Sequence, residues 1–246
     1  MTTAVPAQPR ETAHHAPERH RAVSGGAARA AVFGISDGLV TNVSLIVGLA
    51  GANPAPSVVR LAGIAGLVAG ACSMAVGEYV SMRAQRELLE RELERERHEI
   101  RHHPDAEHRE LASIYQRRGL GPELAYLVAA ALMRDEDLAL ETHAREELGI
   151  DPEGLGSPVA AAVASFASFA LGAAVPLAPW LAARGAGAVV ATVALAAVTS
   201  LLVGALLGRL AGRTWTRSAL RQLGLSALAT LVAFSIGLVA GRAGLR

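Results

Sequence analysis

The residue whose chemistry is hardest to ignore is Asp37. It is a carboxylate about two turns inside an apolar run that begins near residue 27 and ends near residue 52, long enough to cross a bilayer as a helix. Gly34, Asp37, Thr41, Ser44 and Gly48 recur at i, i+3, i+7, i+10 and i+14, so they share a small, polar helix face opposite Ile35, Leu39 and Ile46. An ionisable group near a bilayer centre costs roughly 2.5–3.5 kcal/mol on insertion scales and usually marks a pathway or relay. The plainer use of Asp37 is as a protonated carboxyl hydrogen-bonded to a neighbouring helix. A second apolar block, residues 58–82, carries Met74, Glu78 and Met82 one above another at i, i+4 and i+8, and Gly66 and Gly70 as a small-xxx-small pair. Counted from Arg29 and Arg83, Asp37 and Met74 each lie about 12–14 Å in from the same side, at about 1.5 Å per residue. A carboxylate and a thioether then meet at one level if the two helices are neighbours, with Glu78 about a turn nearer that side. Met74 taken alone reads as a gap-filling core residue.

A second set of ligand types lies in the charged insert, residues 83–156. Glu92, Glu96, Glu99 and His103 fall at i, i+4, i+7 and i+11 on one helix stripe. After a break at Pro104, Glu107 and Glu110 repeat an i, i+3 spacing, and a third helical stretch ends in ETHAREELG, with His143 and Glu147 at i, i+4. If these three helices converge, carboxylate oxygen with some imidazole suits Mn(II), Fe(II) or Zn(II). The rival reading is a solvated helix laced with pairs such as Glu87 with Arg91. Leu89 and Leu93, Leu111 and Ile114, and Leu124, Leu127, Val128 and Leu132 would pack the helices together, and Gly119-Leu120-Gly121-Pro122 separates the second from the third.

The elements that must position these groups are apolar helices. The chain is 52% hydrophobic with a net charge of +1, which offers nothing for nucleic acid, and its basic side chains are all Arg. The apolar residues gather in five blocks, near 27–52, 58–82, 158–182, 186–208 and 219–241. Pro176 and Pro179 are expected to kink or end the third. Residues 1–28, with His14, His15 and His20, read as a flexible tail lacking the pattern of a signal peptide. The lone Cys72 has no intrachain partner and reads as packing. Five crossings place the termini on opposite sides. Arg209, Arg213, Arg217 and Arg221 against only Arg184 on the other connection put the N-terminus, the insert and the 209–221 loop in the cytosol. The expected domains are the tail, membrane helices over 29–82, a cytosolic three-helix domain over 83–156, and membrane helices over 157–243.

SDGLVTNVSLIVGLAGA, then GACSMAVGEYVSMRAQRE, then the Glu-rich insert together resemble the vacuolar iron transporter family over about residues 29–243. The resemblance implies an all-α, polytopic homodimer of five-helix subunits that exports Fe(II), and often Mn(II), from the cytosol in exchange for protons, with the path between subunits. It implies that Asp37 and Met74 are intramembrane metal ligands and that Glu96, Glu99, Glu107, Glu110 and Glu147 belong to the metal-binding domain. The sequence departs from the plant pattern at His143, where a Met is usual, and at Glu78, where a Gly is usual and where the nodulin-like and bacterial branch has Glu. The first makes the cytosolic site harder, and the second adds a titratable ligand at the pore mouth.

The expected function is therefore divalent-metal transport out of the cytosol by proton antiport, with no permanently bound cofactor. Fe(II) and Mn(II) are the expected cargo, and Zn(II) and Co(II) fit the same donors. A cell (inner) membrane is the expected location, and the bilayer and a second copy of the chain are the expected partners. The alternative is a membrane-anchored metal sensor without flux, against which Asp37 argues, because a sensor needs no mid-membrane carboxylate. An intramembrane hydrolase is disfavoured because no apolar block holds a His.

Overall fold

The structure is a computed structural model that describes residues 26–152 and 155–244. The tail expected over residues 1–28, with its histidines, lies almost wholly outside the described residues. Eight helices make up the described chain: α1 (Gly26–Gly51), α2 (Pro56–His102), α3 (Pro104–Arg117), α4 (Pro122–Leu132), α5 (Glu136–Glu146), α6 (Pro158–Ala182), α7 (Gly185–Leu210) and α8 (Trp215–Arg242). Five of them, α1, α2, α6, α7 and α8, are long and apolar enough to cross a membrane. The chain is all-α and a multi-pass membrane protein.

α1 is the central membrane helix. Its aliphatic side is buried, with Leu39, Val43, Ile46 and Val47 at most 5% exposed. Close approach by its neighbours rests on glycine, as in helix pairs that have no hydrophobic drive towards each other in lipid. A Cβ on Gly38 would run into the Phe169 carbonyl of α6, and one on Gly172 into the Ile35 carbonyl of α1. At the other end of α1, Gly237 of α8 packs in the same way on the Gly48 carbonyl. A side-chain bond adds to the α1–α6 contact, because buried Asn42 donates from Nδ2 to the Ala173 carbonyl at 2.6 Å. The outward faces are apolar, as a bilayer requires: Leu202 and Leu206 of α7 and Leu228 and Leu231 of α8 are each more than half exposed.

The structure changes several local expectations. α6 runs unbroken through Pro176 and Pro179 to Ala182. A proline inside a membrane helix forfeits one backbone bond, and packing against neighbours compensates. Thr192 of α7 packs on this segment and donates to the Pro176 carbonyl at 3.0 Å. α2 does not stop at the end of its apolar block. It continues as one helix of 47 residues, about 70 Å long, into the insert. Glu87 pairs with Arg83 at 2.7 Å rather than with Arg91. The expected third insert helix is two, because Asp135 caps a new start: its side chain accepts from the Leu138 N–H at 2.9 Å. The inward face of α4 is Ala125 and Ala129, while Leu124 and Leu127 point outward at 56% and 66% exposure.

Candidate metal centre

α2, α3 and α5 each carry a candidate ligand on the same stripe that packs the insert core, and α4 carries none. On α2, Leu93, Glu96 and Ile100 follow i, i+3, i+7, and Leu93 and Ile100 pack on Ala139 and Leu140 of α5. On α3, Glu107 precedes buried Leu111 and Ile114 by one and two turns. On α5, His143 follows buried Ala139 and Leu140 by one turn, and Glu147 is the C-cap residue. Ion pairs across the helices fix α5 against α2, chiefly Arg101 Nη2 to Glu136 Oε1 at 2.6 Å and Arg97 Nη2 to Asp137 Oδ1 at 3.4 Å. Arg118 at the end of α3 pairs with Glu146. These exposed pairs each contribute little to stability and act here mainly to set the orientation of α5.

The stripes converge. One ligand atom from each of Glu96, Glu107, His143 and Glu147 lies within 4.8 Å of the others. His143 is wholly buried, and its Nδ1 stands 3.1 Å from Glu96 Oε1, 3.3 Å from Glu147 Oε2 and 3.7 Å from Glu107 Oε2. Glu96 and Glu107 are themselves buried, at 8% and 7% exposure. Glu96 Oε1 and His143 Nε2 have no hydrogen-bond partner among the described residues. Glu147 is the exposed member of the group. Buried charge without compensation is costly, and one imidazole cannot offset three carboxylates. The donor set of carboxylate oxygens and one imidazole nitrogen fits a divalent first-row metal, which would supply the missing charge.

The electrostatics of the metal-free site follow. Burial pushes the Glu107 carboxyl above its ordinary range, and the Glu96 charge beside it adds to this. Burial likewise raises Glu147, although its bond to His143 works the other way. Burial alone would lower His143, but the carboxylates of Glu96, Glu147 and Glu107 beside it outweigh this and hold the imidazolium above its ordinary 6.5. A group whose pKa is raised on folding contributes stability below its unfolded value and loses it as pH rises through the folded one. All three shifts have this sign. With a chelator present, the protein should therefore melt at higher temperature as pH falls from above the ordinary imidazole range towards the ordinary carboxyl range. The Glu107→Gln/Glu147→Gln variant should show a flatter profile over the same scan. Added metal should reverse the trend, because its ligands must be deprotonated.

The other expected ligands are placed differently. Glu99 turns aside to His103, with Oε2 3.2 Å from Nδ1, and is partly exposed. Glu110 is exposed beside the four-residue group, and its charge is felt by Glu107 and Glu147. In the membrane, Asp37 is half-buried and accepts a bond from Thr41 Oγ1 at 3.4 Å, while Thr41 itself is exposed. Met74 is half-buried against the cluster of Ala71, Phe169 and Ala173, and Glu78 is half-buried one turn on. α1 and α2 approach each other at Asn42 and Gly66 and at Ile46 and Gly63. Higher up, Phe169 of α6 touches both, with its carbonyl at Gly38 and its ring at Gly70. Asn42 was not among the expected functional residues; an Asn inside an apolar run was the available signal.

Residues 28–238 match the VIT family. The chain belongs to that family. Among its VIT relatives, vacuolar iron transporter 1 of Oryza sativa subsp. japonica is 34% identical over 224 residues, covering 91% of this chain and 88% of the relative. Vacuolar iron transporter 1 of Arabidopsis thaliana is 33% identical over 227 residues, 92% of this chain and 90% of that one. The vacuolar iron transporter of Acanthamoeba castellanii is 40% identical over 162 residues, 65% of this chain and 58% of that one. The VIT match takes in both the membrane helices and the insert, so the four converging side chains and Asp37 all lie inside it.

Proposed function

We propose that this chain transports Fe(II) across a membrane, out of the cytosol, with Mn(II) as a second cargo and protons moving the opposite way. The observation that carries the reading is the convergence of Glu96, Glu107 and the exposed Glu147 around buried His143, at the end of the helix that also bears Met74 and Glu78. Relatives named iron transporters support iron as the cargo.

The insert collects the ion on the four-residue group, with Glu99 and Glu110 as an outer acidic rim. Glu96 and Met74 are separated along α2 by about 33 Å, a span that Glu78 shortens by one turn. Asp37 and Met74 then strip water from the ion at mid-depth. Within one chain the Asp37–Thr41 edge of α1 faces outward, since Thr41 is exposed. An uncovered carboxylate edge in hydrocarbon is costly. A second copy related by two-fold symmetry would cover it and double the ligands, which supports a homodimer with the path between subunits. Protonation of Asp37 or Glu78 weakens the site and releases the ion, which couples the two flows.

The Arg cluster from residue 209 to 221 supports a cytosolic insert and an external C-terminus in a cell (inner) membrane. A reporter fused at residue 246 should be active outside and silent inside; the reverse would invert the direction of export. The deciding experiment is metal flux into sealed liposomes. Fe(II) should accumulate faster with a proton gradient opposed to it than without. Metal bound at the insert with no flux would leave a sensor.

A further inference from the structure

We propose that the α7–α8 turn is a built site for the phosphate of an anionic phospholipid. A cavity of about 400 Å³ opens there, lined by Gly212, Arg213, Thr214, Arg217, Ser218 and Arg221. Arg217 and Arg221 lie one turn apart on one side of α8, and Arg213, in the turn before it, lines the same cavity. None of the three pairs with a carboxylate among the described residues, and the sequence beyond Glu153 contains no acidic residue at all. α8 begins with no acidic residue in its first turn, and its N-cap Thr214 makes no side-chain capping bond. The first-turn N–H groups and the positive end of a 28-residue helix therefore face the same cavity as the guanidinium groups. Ser218 is 7% exposed and lines the cavity. A Cβ on Gly208 would fall 2.9 Å from the Ser218 hydroxyl oxygen and from the Trp215 Cα, so glycine there lets the start of α8 pack closely on α7. Guanidinium forks, free amides and a buried hydroxyl are the donors that a phosphate accepts.

The depth of the cavity selects a lipid over a soluble anion. Trp215 is half exposed, with the Arg209 guanidinium 5.8 Å from its ring centroid, the kind of aromatic anchor that sits at headgroup level. On the adjoining turns of α7 and α8, Leu206, Leu210 and Leu220 are 57%, 63% and 64% exposed and offer an apolar surface to acyl chains. Basic pockets between membrane helices on the positively charged side take anionic headgroups by the same physics.

The test uses full-length protein, delipidated in a neutral detergent and offered dioleoylphosphatidylglycerol or dioleoylphosphatidylcholine, with retained lipid counted by native mass spectrometry. Phosphatidylglycerol should be retained and should raise the melting temperature; phosphatidylcholine should do neither. Arg213→Gln/Arg217→Gln/Arg221→Gln should weaken phosphatidylglycerol binding on the order of a hundredfold. The triple Lys variant keeps the charge and the insertion signal, so it should fold, and it should still lose roughly tenfold because the bidentate fork is gone. Arg242→Gln, at the far end of α8, should change nothing. Equal retention of the two lipids by the wild type would overturn the proposal. So would wild-type affinity in the triple Lys variant, which would mean diffuse charge attraction. Stabilisation by inorganic phosphate alone, matching that by phosphatidylglycerol, would assign the site to free phosphate and overturn the lipid.

Discussion

Asp37→Asn should reduce metal flux by at least roughly a hundredfold while leaving expression and folding intact. The substitution keeps the shape of the side chain and its bond with Thr41, and it removes only the charge and the proton that the carboxyl can carry. Asp37 is half-buried on the edge of α1 that carries exposed Thr41, away from the buried aliphatic side of Leu39, Val43 and Ile46. The helix contacts that hold α1 are made elsewhere, by Gly38 on α6 and by Gly48 on α8. Folding should therefore not depend on the charge. If the carboxyl were only protonated glue between helices, an amide would serve as well, and flux would stay near wild type in the liposome assay. Flux at the wild-type level in Asp37→Asn would remove the mid-membrane site from the mechanism and leave metal binding at the insert alone. Loss of flux together with loss of the folded protein in size-exclusion chromatography would instead make Asp37 structural.

Most of the membrane fold was legible because a bilayer imposes one rule on every crossing segment. About twenty apolar residues must form a helix that satisfies its own backbone. The five blocks read from hydropathy match α1, the first half of α2, α6, α7 and α8 to within a few residues. What could not be read was which surfaces meet. Gly34 and Gly48 share one face with Asp37 by periodicity, yet Gly34 packs on Ser168 of α6 and Gly48 on Ala233 of α8. Helix faces are assigned by the whole packing, and spacing within one helix does not contain that information. The prolines of α6 misled for a related reason. Pro176 and Leu177 are buried against neighbouring helices and Thr192 of α7 bonds to the Pro176 carbonyl, tertiary contacts that no local pattern reveals.

In the insert, the residue types were legible and their ranking was not. Carboxylates at i, i+3 spacing on α2 and α3 look equivalent in sequence, but Glu96 and Glu107 are buried while Glu99 and Glu110 stay at the surface. The distinguishing signal was the apolar stripe. Glu96 falls between Leu93 and Ile100, Glu107 is in line with Leu111 and Ile114, and His143 is in line with Ala139 and Leu140. A charged or imidazole side chain on the stripe that must be buried is forced inward, whereas one a step to the side is free to remain in water. His143 read from sequence as an accessory ligand. The structure buries it completely among three carboxylates, at the centre of the candidate group.

Mn(II) titrated calorimetrically into the full-length protein should give a saturable heat that disappears when Glu96, Glu107 and Glu147 are all changed to Gln. The same metal should raise the melting temperature of the wild type, since a ligand that binds only the folded form stabilises it by mass action, by about 2.7 kcal/mol at a hundredfold excess over Kd. The metal-free variant should melt at or above the wild type, because removing carboxylates that crowd one buried imidazole relieves their mutual repulsion. A solvated acidic surface cannot give this opposite pair of effects: neutralising it would change neither the heat nor the metal-free melting point in a concerted way. Glu99→Gln/Glu110→Gln serves as the internal comparison. It removes two nearby charges that lie outside the four-residue group, so it should lower affinity modestly, by less than about tenfold, and leave the stoichiometry unchanged. His143→Ala should cost more affinity at pH 7.5 than at pH 5.5, because at the lower pH the raised imidazolium is already unavailable to metal. A wild-type heat that survives in the triple Gln variant would place the metal at Asp37 and Met74 alone. The insert would then be a charged helical surface whose buried His143 is held by its carboxylates as an ion pair.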